Sequence, residues 1–237
     1  MFESKRNKFA RMFINGGLKM PEKMLKREAF RAAKTFSAPK KLDLSGYCTP
    51  VENQGNLPYC AAYSASSFAE NILWRKNHYH EDIDPVPLYK YAKTIDGDPK
   101  GAGTFLECTL EALLKHKYFD PIVCKIKTFG GRPYGSNTGI EDMKFAIHRY
   151  GICTAGFAIT SEWFSPKGNI IRGSSSAASQ GGHAVVVCGY DDADGGVFKI
   201  MNSWGDTYAE NGFVYITYKE FEKEFIYAGL MTHVLDD

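Results

Sequence analysis

Gln54-Gly55-Asn56-Leu57-Pro58-Tyr59-Cys60 places an amide side chain six residues before a cysteine, at the point where a periodic apolar segment begins. Apolar residues at positions 61, 65, 68, 69, 72 and 73 recur three and four apart, which predicts a helix whose first turn carries Cys60. Far downstream follow Gly182-His183-Ala184 and Asn202-Ser203-Trp204-Gly205. A cysteine, a histidine and an asparagine in this order supply a thiol nucleophile, a base and an amide that orients the base.

The rest of the chain divides into a helical front and a strand-rich back. Thr104-Phe105-Leu106-Glu107 is a capping-box sequence that predicts a second helix, and a third is predicted over residues 140–150, ending at Gly151. Runs rich in β-branched and aromatic residues then predict strands at residues 152–159, 184–190, 197–201 and 213–218, with residues 191–196 as a hairpin loop. A site that combines Cys60 with His183 and Asn202 therefore lies in a cleft between two lobes.

The composition is that of a soluble globular protein. The chain has 237 residues, of which 44% are hydrophobic and 24% charged. No apolar run reaches the roughly 18 residues that span a bilayer. Met1-Phe2-Glu3-Ser4-Lys5-Arg6 carries charge without an apolar segment behind it, so no Sec signal peptide is expected.

The cysteines favour a reducing compartment. There are six of them, at positions 48, 60, 108, 124, 153 and 188. If Cys60 is a free thiol, five remain, and an odd number cannot all pair within the chain. None stands in a CxxC pair, so neither a zinc ribbon nor a thioredoxin-type site is expected. We therefore expect a cytoplasmic location, with non-classical export left open.

The N-terminal segment differs in charge from the body. Residues 1–41 hold 12 Lys and Arg against 3 Asp and Glu, whereas residues 42–237 hold 17 against 24. Apolar spacings around Phe9 and Met24 suggest one or two basic amphipathic helices, the second opened by Pro21. We expect residues 1–40 to form a basic extension that contacts the acidic body as a regulatory or docking element; a solvated tail is the alternative.

Three segments resemble those of papain-like cysteine peptidases, over roughly residues 40–235. Asp43 followed by Cys48-Thr49-Pro50-Val51-Glu52-Asn53-Gln54-Gly55 resembles the family's approach to its nucleophile. Gly182-His183-Ala184-Val185, with Gly189-Tyr190 after it, resembles the histidine strand. Asn202-Ser203-Trp204-Gly205, with Glu210-Asn211-Gly212-Phe213 after it, resembles the asparagine segment. The motifs are specific in combination, although the middle third of the chain matches loosely.

This resemblance implies an α+β fold of two lobes within residues 41–237, a helical lobe at about 55–120 and an antiparallel, β-barrel-like lobe at about 121–235. It implies Cys60 as nucleophile, His183 as its base and acid, Asn202 as the group that orients His183, and Gln54 as oxyanion donor. It also places substrate contacts at Gly103 and Trp204, and it calls for no cofactor or metal.

The physical chemistry of these residue types supports the same roles. A helix N-terminus and a neighbouring imidazolium can lower a thiol pKa to roughly 3–4. Trp204 could shield the hydrogen bond between His183 and Asn202 from water. Donation to the oxyanion by Gln54 could change the rate by about 10²–10³.

The sequence also departs from the family. Leu57, Pro58 and Tyr59 stand where a glycine-rich loop and another cysteine are usual, and Ala61 stands in place of a tryptophan. The expected function is thiol-dependent cleavage of peptide bonds in peptides or proteins. The alternatives are acyl transfer or isopeptide cleavage at the same site, and a pseudoenzyme that uses the cleft for binding.

Two other features carry less weight. His78-Tyr79-His80-Glu81-Asp82 has side chains that could bind a metal, but a solvated loop is the better interpretation. Gly101 and Gly103 lack the spacing of a phosphate-binding loop. No nucleic-acid partner is expected.

Overall fold

The computed structural model describes residues 17–19, 36–130, 139–173 and 178–232. Its helices are α1 Cys60–Asn77, α2 Pro85–Ile95, α3 Leu106–Lys115, α4 Gly139–Tyr150 and α5 Tyr218–Glu224. Its strands are β1 Lys41–Asp43, β2 Lys125–Gly130, β3 Cys153–Ala158, β4 Ile170–Ile171, β5 Gly182–Asp191, β6 Val197–Met201, β7 Phe213–Thr217 and β8 Phe225–Thr232. The expected α+β class is confirmed.

Helix α1 is buried on most of its surface, from Cys60 to Leu73. Alanine and serine fill most of these positions, and their small side chains let neighbouring elements approach the helix closely. Its C-terminus is set by His78, which adopts a left-handed conformation (φ 56°) and donates its N–H to the Trp74 carbonyl. Helices α2 and α3 pack against α1 and against each other.

One sheet contains all the strands of the described ranges, in the order β2-β8-β3-β5-β6-β7-β4, with β1 also paired to β5. All pairings are antiparallel except that of β4 with β7. β5 therefore lies inside the sheet, and its ten residues are nearly all buried. Helix α4 packs on β5 and β8, and α5 packs near β6 and β7.

The start of α1 lies against the start of β5. Ser64 of α1 donates its hydroxyl to the Val185 carbonyl of β5 at 2.8 Å, in a buried contact. This hydrogen bond joins two elements that are 121 residues apart in sequence. It fixes the first turn of α1, which carries Cys60, beside the strand that carries His183.

Most of the predicted elements are present, with small changes at their ends. The strand predicted at residues 213–218 ends one residue earlier, at Thr217. Thr217 is also the N-cap of α5, and its side chain accepts the Glu220 N–H. The predicted capping box at Thr104 is wrong, because Phe105 is the N-cap of α3 and makes no side-chain capping bond. Six elements were not predicted from the sequence: α2, α5, β1, β2, β4 and β8.

The N-terminal helices suggested around Phe9 and Met24 lie outside the described residues. The lobe boundaries at residues 40, 120 and 235 remain a prediction. All six cysteines are described, and none of them forms a disulfide with another. Among the described helices, none is both long and apolar enough to cross a membrane.

Candidate active site

Cys60 is the first residue of α1 and is fully buried. Its sulfur faces the backbone N–H groups of Ala184, Ala61 and Cys60 itself. Two of these belong to the free N-terminus of the helix, where N–H groups lack partners within the helix. The third belongs to β5, directly after His183. Backbone donors from both lobes thus converge on this thiol.

His183 lies on β5 and is held by Asn202, which follows β6. The Nε2 atom of His183 is 2.8 Å from Oδ1 of Asn202. The same oxygen accepts the Ser203 backbone N–H at 2.8 Å, so it is an acceptor in both contacts. Nε2 must therefore carry the hydrogen, which leaves Nδ1 as the basic nitrogen. Both side chains are almost completely buried.

Aromatic rings enclose the imidazole. The Trp204 ring stacks on His183, with centroids 4.7 Å apart and planes at 26°. The Trp163 ring meets His183 edge-on at 6.3 Å. Tyr208 packs edge-on against Trp204 at 5.0 Å and donates its hydroxyl to the Trp163 carbonyl at 2.7 Å. These contacts exclude water from the His183–Asn202 hydrogen bond.

Gln54 is fixed beside the asparagine segment. Its backbone N–H donates to the Ser203 carbonyl at 2.9 Å. Its side-chain Oε1 accepts the Ser203 hydroxyl at 2.6 Å, and its Nε2 donates to the Leu57 carbonyl at 2.9 Å. Since an amide nitrogen carries two hydrogens, one donor of Gln54 remains beyond the bond to Leu57.

The loop of residues 57–59, which departs from the family pattern, packs against helix α2 through Tyr59. Tyr59 stacks on Tyr89 of α2, with centroids 3.7 Å apart. Leu57 is exposed, whereas Ala61, where the family usually has a tryptophan, is fully buried.

Residues 17–19 of the N-terminal segment lie across the site. Leu18 donates its N–H to the Gly182 carbonyl at 3.3 Å. Thr104 donates its N–H to Gly17 at 3.2 Å and accepts the Lys19 N–H at 3.0 Å, forming a parallel bridge. Gly17 approaches Cys60 so closely that a Cβ on it would lie 2.8 Å from the sulfur. The segment is thus bonded to both sides of the cleft.

The Leu18 side chain fills an apolar pocket beside the thiol. It is only 3% exposed and shares a cluster with Cys60, Leu106, Ile226 and Tyr227. A Cβ added at Gly156 would overlap the end of the leucine side chain. The Tyr227 hydroxyl accepts the Leu106 N–H at 2.8 Å and so closes one wall of the pocket.

Lys19 anchors the segment through charge. Its Nζ lies 3.0 Å from Oδ2 of Asp96 and 3.0 Å from Oδ2 of Asp98. The bond from Lys19 lowers the pKa of Asp98. This contact joins the basic segment to the acidic body, in the direction that the charge asymmetry predicts.

Burial keeps the thiol and imidazole neutral in this closed arrangement. Desolvation raises the pKa of Cys60 to about 12, although backbone N–H groups act against it. Desolvation likewise lowers the pKa of His183 to about 4, although the hydrogen bond with Asn202 acts to raise it. The low thiol pKa expected from sequence thus does not describe this closed state, because the thiol is buried beneath Gly17.

The structure brings Cys60, His183, Asn202 and Gln54 into one region, with Trp204 beside them. Gly103 lies next to the cleft, but its carbonyl accepts a hydrogen bond from Lys93 at 3.0 Å, and the neighbouring Thr104 pairs with residues 17–19. Among the described residues, no group of His, Cys, Asp and Glu side chains could hold a metal, including the loop at residues 78–82.

Sequence reasoning missed several residues that shape the site. They are Leu18, Ser64, Thr104, Trp163 and Ser203. Only Ser203 had a signal, because it stands inside the Asn202-Ser203-Trp204-Gly205 motif. The others act through contacts between segments far apart in the chain, which no local pattern encodes.

A family model described as papain family cysteine protease matches residues 89–229. This range is more than half of the chain, and it includes His183 and Asn202 but neither Cys60 nor Gln54. Papaya proteinase 4 from Carica papaya is 28% identical over 198 residues, covering 75% of this chain and 55% of that protein. The chain thus spans about half the length of this curated relative.

Solved structures share the fold. Xylellain, a cysteine protease from Xylella fastidiosa, superposes with a TM-score of 0.71 at 18% identity, covering 92% of this chain and 95% of that one. The procathepsin B S9 of Trypanosoma congolense gives a TM-score of 0.72 at 16% identity, covering 93% and 87%. At these identities the likeness establishes the architecture.

Proposed function

The chain belongs to the papain family of cysteine proteases, and on this basis we propose that it hydrolyses peptide bonds in peptides or proteins, with Cys60 as the nucleophile. The observation that carries the proposal is the position of Cys60 at the N-terminus of α1, facing the Ala184 N–H, beside the His183–Asn202 pair. A nucleophile, a base and a group that orients the base are the parts that acyl transfer to a thiol requires.

The proton path follows from the tautomer. With Nε2–H bonded to Asn202, Nδ1 of His183 takes the proton of the Cys60 thiol. The resulting thiolate attacks the substrate carbonyl carbon, and Nδ1–H then protonates the leaving amine. A water that gives its proton to Nδ1 attacks the thioester and releases the acid product. Asn202 stays hydrogen-bonded throughout and keeps the ring oriented.

The oxyanion is stabilised by backbone and amide donors. The Cys60 backbone N–H lies close to the sulfur of the same residue, at the N-terminus of α1. The second hydrogen on Nε2 of Gln54 supplies another donor, and Ser203 fixes the amide so that it does not reorganise during the reaction.

Residues 17–19 hold the site closed. Leu18 fills the pocket, Gly17 covers the thiol, and Lys19 anchors the segment to Asp96 and Asp98. A substrate therefore binds only after this segment leaves the cleft. The role of residues 1–40 as a regulatory element is part of this proposal.

A cytoplasmic location is also part of the proposal. It is supported by six cysteines of which none forms a disulfide with another.

The test is digestion of a peptide library by the full chain and by a chain beginning at Phe36, with mass-spectrometric detection. Cleavage products that gain one water are expected from the shorter chain and absent from its Cys60→Ala variant. Products joined to an added amine instead of water would indicate acyl transfer. Absence of cleavage together with absence of active-site labelling would indicate a binding module.

A further inference from the structure

Trp163, whose ring meets His183 edge-on, is itself held by a buried carboxyl group. The indole Nε1–H of Trp163 donates to Oε2 of Glu224 at 2.6 Å. Trp163 is fully buried, and Glu224 is only 4% exposed. Glu224 is the last residue of α5 and lies 61 residues beyond Trp163 in the sequence. The indole is therefore held by an element outside its own segment.

The backbone of Trp163 is fixed separately from its ring. Trp163 lies in the short 3₁₀ helix Ser161–Phe164. Its N–H donates to the Thr160 carbonyl at 3.2 Å, and its carbonyl accepts the Tyr208 hydroxyl at 2.7 Å. These bonds hold the main chain and do not act on the side chain. The bond to Glu224 acts on the indole itself and so fixes the rotation of the ring.

The indole packs against both members of a cross-strand pair. Phe157 of β3 lies directly opposite His183 of β5 in the antiparallel ladder. The centroid of the Trp163 ring is 5.3 Å from that of Phe157 and 6.3 Å from that of the imidazole. Phe157 in turn packs edge-on against Phe221 of α5, at 5.7 Å. Helix α5 thus supports His183 by two routes, one through aromatic packing and one through the carboxyl group of Glu224.

An acid is an unfavourable residue among buried aromatic rings unless it is hydrogen-bonded, and an apolar side chain would avoid that cost. Burial raises the pKa of Glu224 to about 7. The neighbouring acids Glu162 and Glu220 act in the same direction, and the hydrogen bond from Trp163 acts against them. A carboxyl group retains capacity to accept a hydrogen bond whether or not it carries a proton. What Glu224 supplies to the indole is therefore an acceptor rather than a charge.

We propose that Glu224 is a positioning residue for His183 and acts through Trp163. The inference rests on the proposed function, in which Nδ1 of the imidazole exchanges the proton while Nε2–H stays bonded to Asn202. Proton exchange at one nitrogen and the hydrogen bond at the other require the same ring orientation, so a group that limits rotation of the ring serves both.

Two tryptophan rings limit that rotation from different directions. Trp204 stacks on the imidazole with planes at 26°, whereas Trp163 stands at 85° to it. Without Glu224 the buried indole N–H of Trp163 has lost its acceptor, and a buried unpaired donor is unfavourable. The indole then turns toward another acceptor, and the edge-on contact with His183 is lost.

The test follows the proton on Nε2 of His183 by NMR, in the full chain labelled with ¹⁵N-histidine. This proton is buried and bonded to Asn202, so it should exchange slowly with water. Its signal is identified by its absence from His183→Gln. In Glu224→Leu, which removes the acceptor, we expect the proton to exchange at least about 10-fold faster than in the parent chain.

Three further variants separate positioning from general loosening. Glu224→Gln keeps an acceptor oxygen, so its exchange rate should match that of the parent chain. Trp163→Phe keeps an aromatic ring but lacks the N–H, and its exchange should be about as fast as in Glu224→Leu. Ile83→Ala opens a cavity at a fully buried position before α2, and it should leave the exchange rate close to that of the parent.

Parent-like exchange in Glu224→Leu would overturn the proposal, as would fast exchange in Glu224→Gln or equally fast exchange in Ile83→Ala. If Glu224→Leu does not fold, the comparison of Trp163→Phe with Glu224→Gln decides in the same way. The measurement requires neither cleavage of a peptide nor labelling of Cys60. A failure of the proposed function would therefore show in the peptide digest, and a failure of this inference in the exchange rates.

Discussion

Leu18, from the N-terminal segment, and Cys60, at the start of α1, lie in the same small buried cluster. Neither side chain has appreciable exposure to solvent. The segment that covers the nucleophile is therefore also the segment that buries it, and the same contact raises the energetic cost of charging the thiol. The position of residues 17–19 in the cleft is therefore coupled to the ionisation of the Cys60 thiol.

Shortening Leu18 should release the thiol. Leu18→Ala removes most of an apolar side chain from a closed pocket, a change that typically costs roughly 2–5 kcal/mol. We expect Cys60 in the full chain to be alkylated by iodoacetamide at least about 30-fold faster as a result. Labelling rates from intact mass and peptide mapping provide the measurement.

The matched control is Ile122→Ala, which shortens an aliphatic side chain that is 81% exposed. Its labelling rate should equal that of the parent chain. Equal rates in Leu18→Ala and the parent would show that the leucine does not close the site.

Removing the charge of Lys19 should loosen the segment in a salt-dependent way. Lys19→Ala breaks the bonds to Asp96 and Asp98, so Cys60 should be labelled faster at low ionic strength. The difference from the parent should shrink as salt rises, because ions screen the exposed part of this pairing. Lys40→Ala, at an exposed position, is the charge-matched control. A difference that does not change with salt would argue against an electrostatic anchor.

The sequence alone predicts the helix that begins at Cys60, the strand that carries His183 and the strand before Asn202. The apolar spacing after Cys60 predicts a helix clearly because the pattern continues without interruption along the length of α1. The strand that carries His183 and the strand Val197–Met201 before Asn202 follow from dense β-branched and aromatic residues. The order of the motifs along the chain predicts that these residues share one cleft.

The closed state could not be predicted in the same way. Gly17 and Leu18 carry no local signal, and their positions depend on Thr104 and Gly182, which are distant in sequence. The prediction of a low pKa for Cys60 assumed an open cleft. It therefore left out the burial of the thiol, which raises that pKa. Strand β8 was missed because its apolar run follows the short helix α5 without a turn residue between them.

The proposed catalytic residues should differ in the size of their effects. In a chain beginning at Phe36, Cys60→Ala and His183→Ala should each lower kcat/KM by up to about 10⁶, since they act as one unit. Asn202→Ala should cost less, because Asn202 orients the ring without exchanging a proton. Gln54→Ala should lower kcat by about 10²–10³ with little change in KM. Steady-state kinetics on a cleaved peptide would measure all four.

Tyr63→Phe is a suitable control, since it removes one hydroxyl from a partly exposed residue of α1. Near-normal kcat/KM in His183→Ala would rule out the proposed mechanism.

Removing residues 1–35 should change how labelling of Cys60 depends on pH. In the full chain the thiol pKa is raised to about 12 by burial, so labelling should rise with pH and show no plateau near neutrality. In a chain beginning at Phe36, which keeps the Phe36–Phe145 ring contact, the thiol is open to His183 and solvent. We expect a plateau at neutral pH there, as an activated thiolate gives. The same profile in both chains would contradict the covering role of the segment.

Acid should destabilise the closed state through His183. Burial lowers the pKa of this histidine from its ordinary 6.5 to about 4, so the unfolded chain binds more protons than the folded one between these values. The stabilisation is complete above pH 6.5 and is lost as the pH falls to about 4. Glu52 and Glu224 act in the opposite direction, because burial raises the pKa of each to about 7.

The variant His183→Gln isolates this effect, because it removes the titrating ring while Glu52 and Glu224 remain in both chains. Thermal unfolding between pH 4 and 6.5 should give a Tm that falls with acid more steeply in the parent than in His183→Gln. Since the acidic groups contribute equally to both, the difference between the two slopes reports His183 alone. Parallel slopes would mean that the imidazole is not buried in its neutral form beneath residues 17–19.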